Sequence, residues 1–247
     1  SSNPSTMVQF GGQTAINLSQ LLGAAGLPVL GSTPDVIDLA SDRGRFEDVT
    51  ARHGLPQPPG GMASDVERAL QVAGNVEYPV LVRPSYVLGG RAMEIVQTPA
   101  ELIRYFEMAM RDFHGQTILI DHYLTGLEVE VDAVCDGEDV LIGGIMQHIE
   151  EAGVHSGDSS CVIPAYSLSE ELRDEIKSHT KNLALRLHTK GLINIQFAIK
   201  DKQIYTLEVN PRASRTIPFV SKVTNVPLAK YAAQISTGVM IRDLDIN

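Results

Sequence analysis

Residues 204–216, IYTLEVNPRASRT, close an apolar run with four functional groups, Glu208, Asn210, Arg212 and Arg215. In a strand, side chains two apart share a face, so the oxygens of Glu208 and Asn210 project together. A hard divalent cation such as Mg2+ takes this chemistry, with one or two carboxylates and the remaining positions filled by water and phosphate. Arginines just beyond would meet the same phosphates with planar, bidentate forks. A second apolar run, 192-LINIQFAIK-200, carries Gln196 at its centre, and the turn KDKQ at 200–203 separates the two runs. They should form a hairpin with Gln196 opposite Glu208. A single polar residue on a strand is ordinarily solvated. Here the flanks are apolar on both strands, which favours metal-bound phosphate as the ligand.

Three other stretches carry chemistry less sharply. In 79-PVLVRPSYVLGGRAMEIV-96, an apolar strand ends in Arg83 and leads to a loop with Gly89, Gly90 and Arg91. Paired glycines let backbone approach a phosphate, and equally they make an ordinary hairpin turn. In 126-GLEVEVDAV-134, alternation puts Glu128, Glu130 and Asp132 on one face, where a solvated strand face accounts for most of them. A carboxylate there could also hold the vicinal hydroxyls of a ribose. Just before it, ILIDHYL at 118–124 holds Asp121 and His122. The loop 151-EAGVHSGDSSC-161, with two glycines, His155, two small hydroxyls and Asp158, is too long for a simple turn and rich in donors.

Elements must position these groups. Strands are expected at 79–83, 93–96, 117–121, 127–134, 139–146, 192–199 and 203–209, and helices at 99–111, 169–188 and 227–236. Ser32 or Thr33 can cap a helix with Pro34 at its first position, and another helix starts at Ser41 or Asp42. Ser64 with Glu67 three residues on reads as a capping box for a helix over 64–73, after a Pro/Gly loop at 54–61. At the N-terminus, a short strand followed by a glycine turn within 7–12, a helix over 13–25 through Ile16, Leu18, Leu21 and Leu22, and a strand in LPVLG make a β-α-β unit. At about 35 residues it is too short for a whole doubly wound domain and reads as the tail of one. Long strands with few crossover helices predict antiparallel sheets and an α+β class.

The 247 residues are 43% hydrophobic and 20% charged, ordinary for a globular chain with a sizeable core. Twenty basic against thirty acidic side chains give a net charge of −10, which argues against a nucleic-acid surface. Cys135 and Cys161 fit neither a disulfide framework nor a zinc pattern, so a reducing compartment is expected. No apolar run reaches the length of a membrane span, and SSNPSTM lacks the regions of a signal peptide and reads as a boundary within something longer.

The motifs RPSYVLGGRAMEIV, AGVHSGDSS, NIQFAIK and LEVNPRASRTIPFVSK, in this order, resemble the large chains of carbamoyl phosphate synthetase, from about Val8 to Gly238. VLGGRAMEIV and IPFVSK resemble the ATP-grasp domain of their C-terminal half, whereas the NPR ending is shared with biotin-dependent carboxylases. The resemblance implies an ATP-grasp fold, two α+β subdomains clasping ATP. Residues 1–36 would be the remnant of a preceding β-α-β domain and 37–247 the ATP-grasp domain, with a lid over roughly 79–122. It further implies phosphorylation of carbamate by ATP with Mg2+ or Mn2+, feeding arginine and pyrimidine biosynthesis. Partners would be ATP or ADP, carbamate, the rest of the large chain and a glutaminase small subunit, in the cytoplasm or an organellar stroma, without nucleic acid or membrane. By the same resemblance, Arg43, Arg83, His122, Leu124, Glu128, Gly153, Val154, His155, Ser156, Gln196 and Glu208 would contact nucleotide. Gln196, Glu208 and Asn210 would hold the metal, and Arg212 and Arg215 would face the transferred group, with Asn210 among the catalytic set. The other readings are a different ATP-grasp enzyme, such as a biotin carboxylase, and a nucleotide-binding module without turnover.

Overall fold

The computed structural model describes residues 4–84, 93–112, 117–152, 154 and 159–246, with Arg43 described by its backbone alone. The chain divides into two compact units, the first made of 1–57, 127–150 and 160–247 and the second of 58–126 and 151–159.

The first unit opens with β1 (Thr6–Met7), α1 (Gly12–Asn17), α2 (Ser19–Ala24) and β2 (Val29–Leu30), and β1 pairs with β2 in parallel. The expected β-α-β unit is present, its first strand at Thr6–Met7, with one correction: the helix is two short helices that meet at Leu18. Leu18 and Leu21 are 48% and 67% exposed, and Ile16 anchors this layer beside Val8 and Ile37, with Ala15, Leu22 and Val29 packed partly buried against them. Helix α3 (Pro34–Ser41) is capped by Thr33, whose hydroxyl accepts from Val36 N, and α4 (Arg43–Arg52) by Asp42, which accepts from Arg45 N.

The second unit holds β3 (Gly60–Ala63), α5 (Val66–Val76), β4 (Val80–Pro84), β5 (Glu94–Val96), α6 (Pro99–Asp112) and β6 (Ile118–His122). Its strands form an antiparallel sheet in the order β3-β6-β4-β5. Helices α5 and α6 contribute Ala69, Val72, Leu102 and Phe106 to a core with Val80, Val82, Ile118 and Ile120. The cap of α5 is Asp65, which accepts from Arg68 N, rather than Ser64, and the expected loop at 54–61 gives way to β3 at Gly60.

The first unit resumes with β7 (Leu127–Cys135), β8 (Val140–Glu151, its last residue counted with the second unit), β9 (Cys161–Val162), α7 (Glu170–Arg186), β10 (Gly191–Lys200) and β11 (Gln203–Asn210). Helices α8 (Ile217–Thr224) and α9 (Leu228–Ser236) and a 3-10 turn at Ile241–Asp243 complete it. The five strands form one sheet, β11-β10-β7-β8-β9. Its two faces differ because side chains alternate. Val129, Val131, Ala133, Ile193, Ile195 and Phe197 pack with Ile176, Leu183 and Leu187 of and just after α7, each fully buried apolar side chain contributing roughly 1.5–3 kcal/mol. On the opposite face, Val134, Met146 and Leu192 meet α8 and α9 through Val220, Leu228 and Ala232, and the same face carries Glu130, Asp132, Asn194 and Gln196.

Candidate active site

The β10–β11 hairpin sets the polar face. Asp201 and Lys202, at φ 51° and 67°, form a two-residue turn whose left-handed backbone matches strand twist. Pairing runs from Lys200↔Gln203 to Phe197↔Thr206 and then shifts by one residue, so that Gln196 faces Glu208. An unbroken register would have faced Gln196 with Leu207. The bulge places Leu207 out of step and brings Glu208 onto the polar face. The expected juxtaposition of Gln196 and Glu208 is therefore present, through an irregularity that the turn length does not predict.

Strand β10 also pairs with β7, so polar groups align in rows across three strands: Glu130, Gln196 and Glu208 in one, Asp132, Asn194 and Asn210 in the next. Along each row burial falls. Glu130, Asp132 and Asn194 are buried, and Gln196, Glu208 and Asn210 are half-buried. Among the described residues the side chains of these last three make no hydrogen bond, leaving their oxygens available to a ligand.

The solvated-face reading of Glu128, Glu130 and Asp132 is overturned, since all three are at most 3% exposed. Their partners explain it. Asn194 Nδ2 donates to Glu130 Oε1 at 2.6 Å and to Asp132 Oδ1 at 2.8 Å. His148 on β8, also buried, places Nε2 at 3.3 Å from Glu130 Oε2 and Nδ1 at 3.5 Å from Glu128 Oε1. Burial alone would lower the His148 pKa. The hydrogen bond to Glu130 and the charges of Glu128, Glu130 and Glu150 outweigh it and raise the value above that of a free imidazole.

Past β11 the chain turns through 211–216. Arg212 is half-buried, its Nη1 donates to Ala213 O, and Arg215 is exposed. Burial pushes the Arg212 pKa down, Glu208 opposes that, and Arg215 adds to it, so Arg212 lies in the fields of both Glu208 and Arg215. These are the groups needed by a divalent cation with polyphosphate. A carboxylate and two amide oxygens on one face supply hard oxygen ligands, and cations stand beside them. The residues present fit such a metal, though among the described residues no group of three or more His, Cys, Asp and Glu could hold one by itself.

Other expected contacts lie in the second unit. Arg83 is half-buried on β4, and its Nε is buried without a hydrogen-bond partner among the described residues. His122 Nδ1 lies 3.2 Å from Glu77 O, Leu124 is buried, and Val154 is 39% exposed. Gly153, His155, Ser156 and the side chain of Arg43 lie outside the described residues, as do Gly89, Gly90 and Arg91. Sequence reasoning passed over Asn194, His148, Ser214 and Thr216. Asn194 alone carried a signal, being two residues from Gln196 and so on the same face.

The profile of the family described as carbamoyl-phosphate synthase L chain, ATP binding domain, matches residues 42–244. The carbamoyl phosphate synthase large chain of Methanothermobacter thermautotrophicus is 56% identical over 244 residues, 97% of this chain and 23% of that protein. That of Vibrio cholerae is 52% identical over 233 residues, 94% of this chain and 22% of that protein. The chain thus spans under a quarter of the length of these relatives. Among solved structures, a biotin carboxylase from Campylobacter jejuni in complex with β-γ-ATP superposes with a TM-score of 0.80 at 20% identity, covering 94% of this chain and 54% of that one. The biotin carboxylase domain of Hydrogenobacter thermophilus 2-oxoglutarate carboxylase, complexed with MgADP and bicarbonate, gives 0.78 at 25% identity, with coverages of 92% and 52%. The biotin carboxylases share the fold at a distance, whereas the large-chain sequences match at more than half of all positions; the chain belongs to the family of ATP-binding domains of carbamoyl phosphate synthase large chains.

Proposed function

We propose that this chain is the ATP-grasp domain of the C-terminal half of such a large chain and phosphorylates carbamate with ATP to give carbamoyl phosphate and ADP. The observation that carries the reading is the pairing of Gln196 with Glu208 beside Arg212, among relatives named for carbamoyl phosphate synthesis. Phosphoryl transfer needs positioning and charge neutralisation more than a nucleophilic side chain. A bound Mg2+ or Mn2+ would neutralise phosphate charge as the γ-phosphoryl group moves. Gln196, Glu208 and Asn210 would hold it, Gln196 and Glu208 also lying against ATP. Arg212 and Arg215 would bind oxygens of carbamate and of the transferred group. Glu128 would accept from the ribose hydroxyls, oriented by His148. In the second unit Arg83 would bind phosphate, and His122, Leu124 and Val154 would line the nucleotide pocket, with Gly153, His155, Ser156 and Arg43 as further contacts.

The same reading makes residues 1–36 part of a preceding β-α-β domain and gives the chain its working partners: the rest of the large chain and a glutaminase small subunit, in the cytoplasm. The test is the reverse half-reaction, with Mg2+, ADP and carbamoyl phosphate mixed and ATP detected. The wild-type chain should form ATP. Glu208→Gln, which keeps shape and loses charge, should slow it by about a hundredfold or more. Equal rates in the two proteins would sink the assignment.

A further inference from the structure

We infer that Asp132 is a positioning residue whose two carboxylate oxygens fix the loop that carries Arg212 and Arg215, by holding Ser214 and Thr216. The inference rests on the proposed role of those arginines. Asp132 sits at the buried end of a cross-strand row, fully excluded from solvent on β7. Its Oδ1 accepts from Ser214 Oγ at 2.8 Å and from Asn194 Nδ2 at 2.8 Å, and its Oδ2 accepts from Thr216 Oγ1 at 2.6 Å. Ser214 and Thr216 flank Arg215 in sequence, and Ser214 lies two residues after Arg212. On the other side of the loop, Ala213 N donates to Gln9 O at 2.9 Å. The arginine loop is thus tied to strand β7 by two hydroxyls and to the N-terminal segment by one amide.

Two features set this apart from an ordinary buried hydrogen bond. The donors to Asp132 are all neutral, and its charged neighbour is Glu130, a like charge. A buried carboxylate without a cation is an unfavourable way to hold a core together, and an apolar side chain of the same volume would ordinarily be more stable. Second, Thr216 stands at the N-cap of α8 and yet makes no side-chain cap bond. A threonine hydroxyl that accepts from the first-turn amides stabilises a helix. Here that hydroxyl points at Asp132 instead, and the loop gains a fixed end where the helix loses a cap. Ser214 Oγ and Thr216 Oγ1 also lie 2.8 Å apart, so the two hydroxyls stand side by side against the carboxylate.

The test uses the hydroxyl end, because Asp132→Ala takes from Asn194 one of its two buried carboxylate acceptors, opens a cavity in the core and can unfold the chain. Thr216→Val keeps the shape and removes the bond, Thr216→Ser keeps the bond, and Ser214→Ala/Thr216→Val removes both. Amide hydrogen exchange without any substrate is read first. In the double variant, residues 212–216 should exchange about tenfold faster while β7 and β10 keep their protection. The reverse half-reaction is read second. Thr216→Val should raise KM for carbamoyl phosphate and lower kcat by about tenfold or more, leave KM for ADP within about twofold, and be rescued by Thr216→Ser. Unchanged loop exchange in the double variant overturns the clamp. Faster exchange with both KM values moved alike overturns the positioning role. A wild-type chain that forms no ATP refutes the proposed function, and the exchange result then still decides the clamp.

Discussion

His148 is a buried imidazole between two buried carboxylates, and its stability contribution follows from that. Its pKa is raised in the folded chain from the ordinary 6.5, because contact with Glu130 and the field of Glu128 exceed the effect of burial. The protonated form is therefore favoured by folding. A raised native pKa means that the stabilisation is complete below about pH 6.5 and is lost as pH rises through the native value. Thermal denaturation between about pH 6 and pH 8.5 should show a falling melting temperature in the wild-type chain. In His148→Gln that slope should flatten. Removing one partner of a buried ionic group costs roughly 3–5 kcal/mol, and 1 kcal/mol moves the midpoint of a chain this long by about 2–4 °C. The variant should accordingly melt about 10 °C lower near pH 6 and converge on the wild type as pH rises. Parallel pH profiles for the two proteins would show that His148 does not titrate in this window.

The β10–β11 hairpin is the element on which the candidate site depends. Its turn places Lys202 at φ 67°, a region that an L-residue with a side chain occupies at a cost of roughly 1–2 kcal/mol and that glycine enters freely. Lys202→Gly should stabilise the chain by about 0.5–1 kcal/mol and leave ATP formation unchanged, since the turn lies at the far end of the hairpin from Glu208. A fall in melting temperature would mean that Lys202 holds the turn through its side chain. The turn was legible in KDKQ because short polar breaks between apolar runs have few solutions. The pairing of Gln196 with Glu208 was legible too, although the bulge that produces it was not: Leu207 looks like any other strand residue. The long strands and α6, α7 and α9 could be read from periodicity. Helix α8 could not, because four of its eight residues, IPFVSKVT, are β-branched and a fifth is proline, so that packing of Ile217 and Val220 against α9 decides for a helix. The buried acids of β7 were misread for the opposite reason. Alternation shows which residues share a face and says nothing about what covers it. Asn194, His148 and Thr216 reach Asp132 and Glu130 from distant parts of the sequence.

At the scale of the whole chain, the apolar clusters respect the division into two units. Among the described residues, the core built on α5, α6 and the β3-β6-β4-β5 sheet draws on residues of the second unit alone, and the other three clusters on residues of the first alone. Yet the backbone passes from the first unit to the second and back twice. Continuity along the chain and continuity of packing therefore disagree, and cooperativity should follow the packing, since burial supplies most of the energy. Leu102 on α6 tests this, being fully buried within the second core. Leu102→Ala should cost roughly 2–5 kcal/mol. Hydrogen exchange should then quicken across β3, β4, β6 and α5, while amides of β7, β10 and β11 keep their wild-type protection. A uniform rise over both units would mean that they unfold together. If the rise stays local, a destabilised second unit leaves the rows from Glu130 to Glu208 and from Asp132 to Asn210 in place, and those side chains can be studied in a chain whose second unit is already opening.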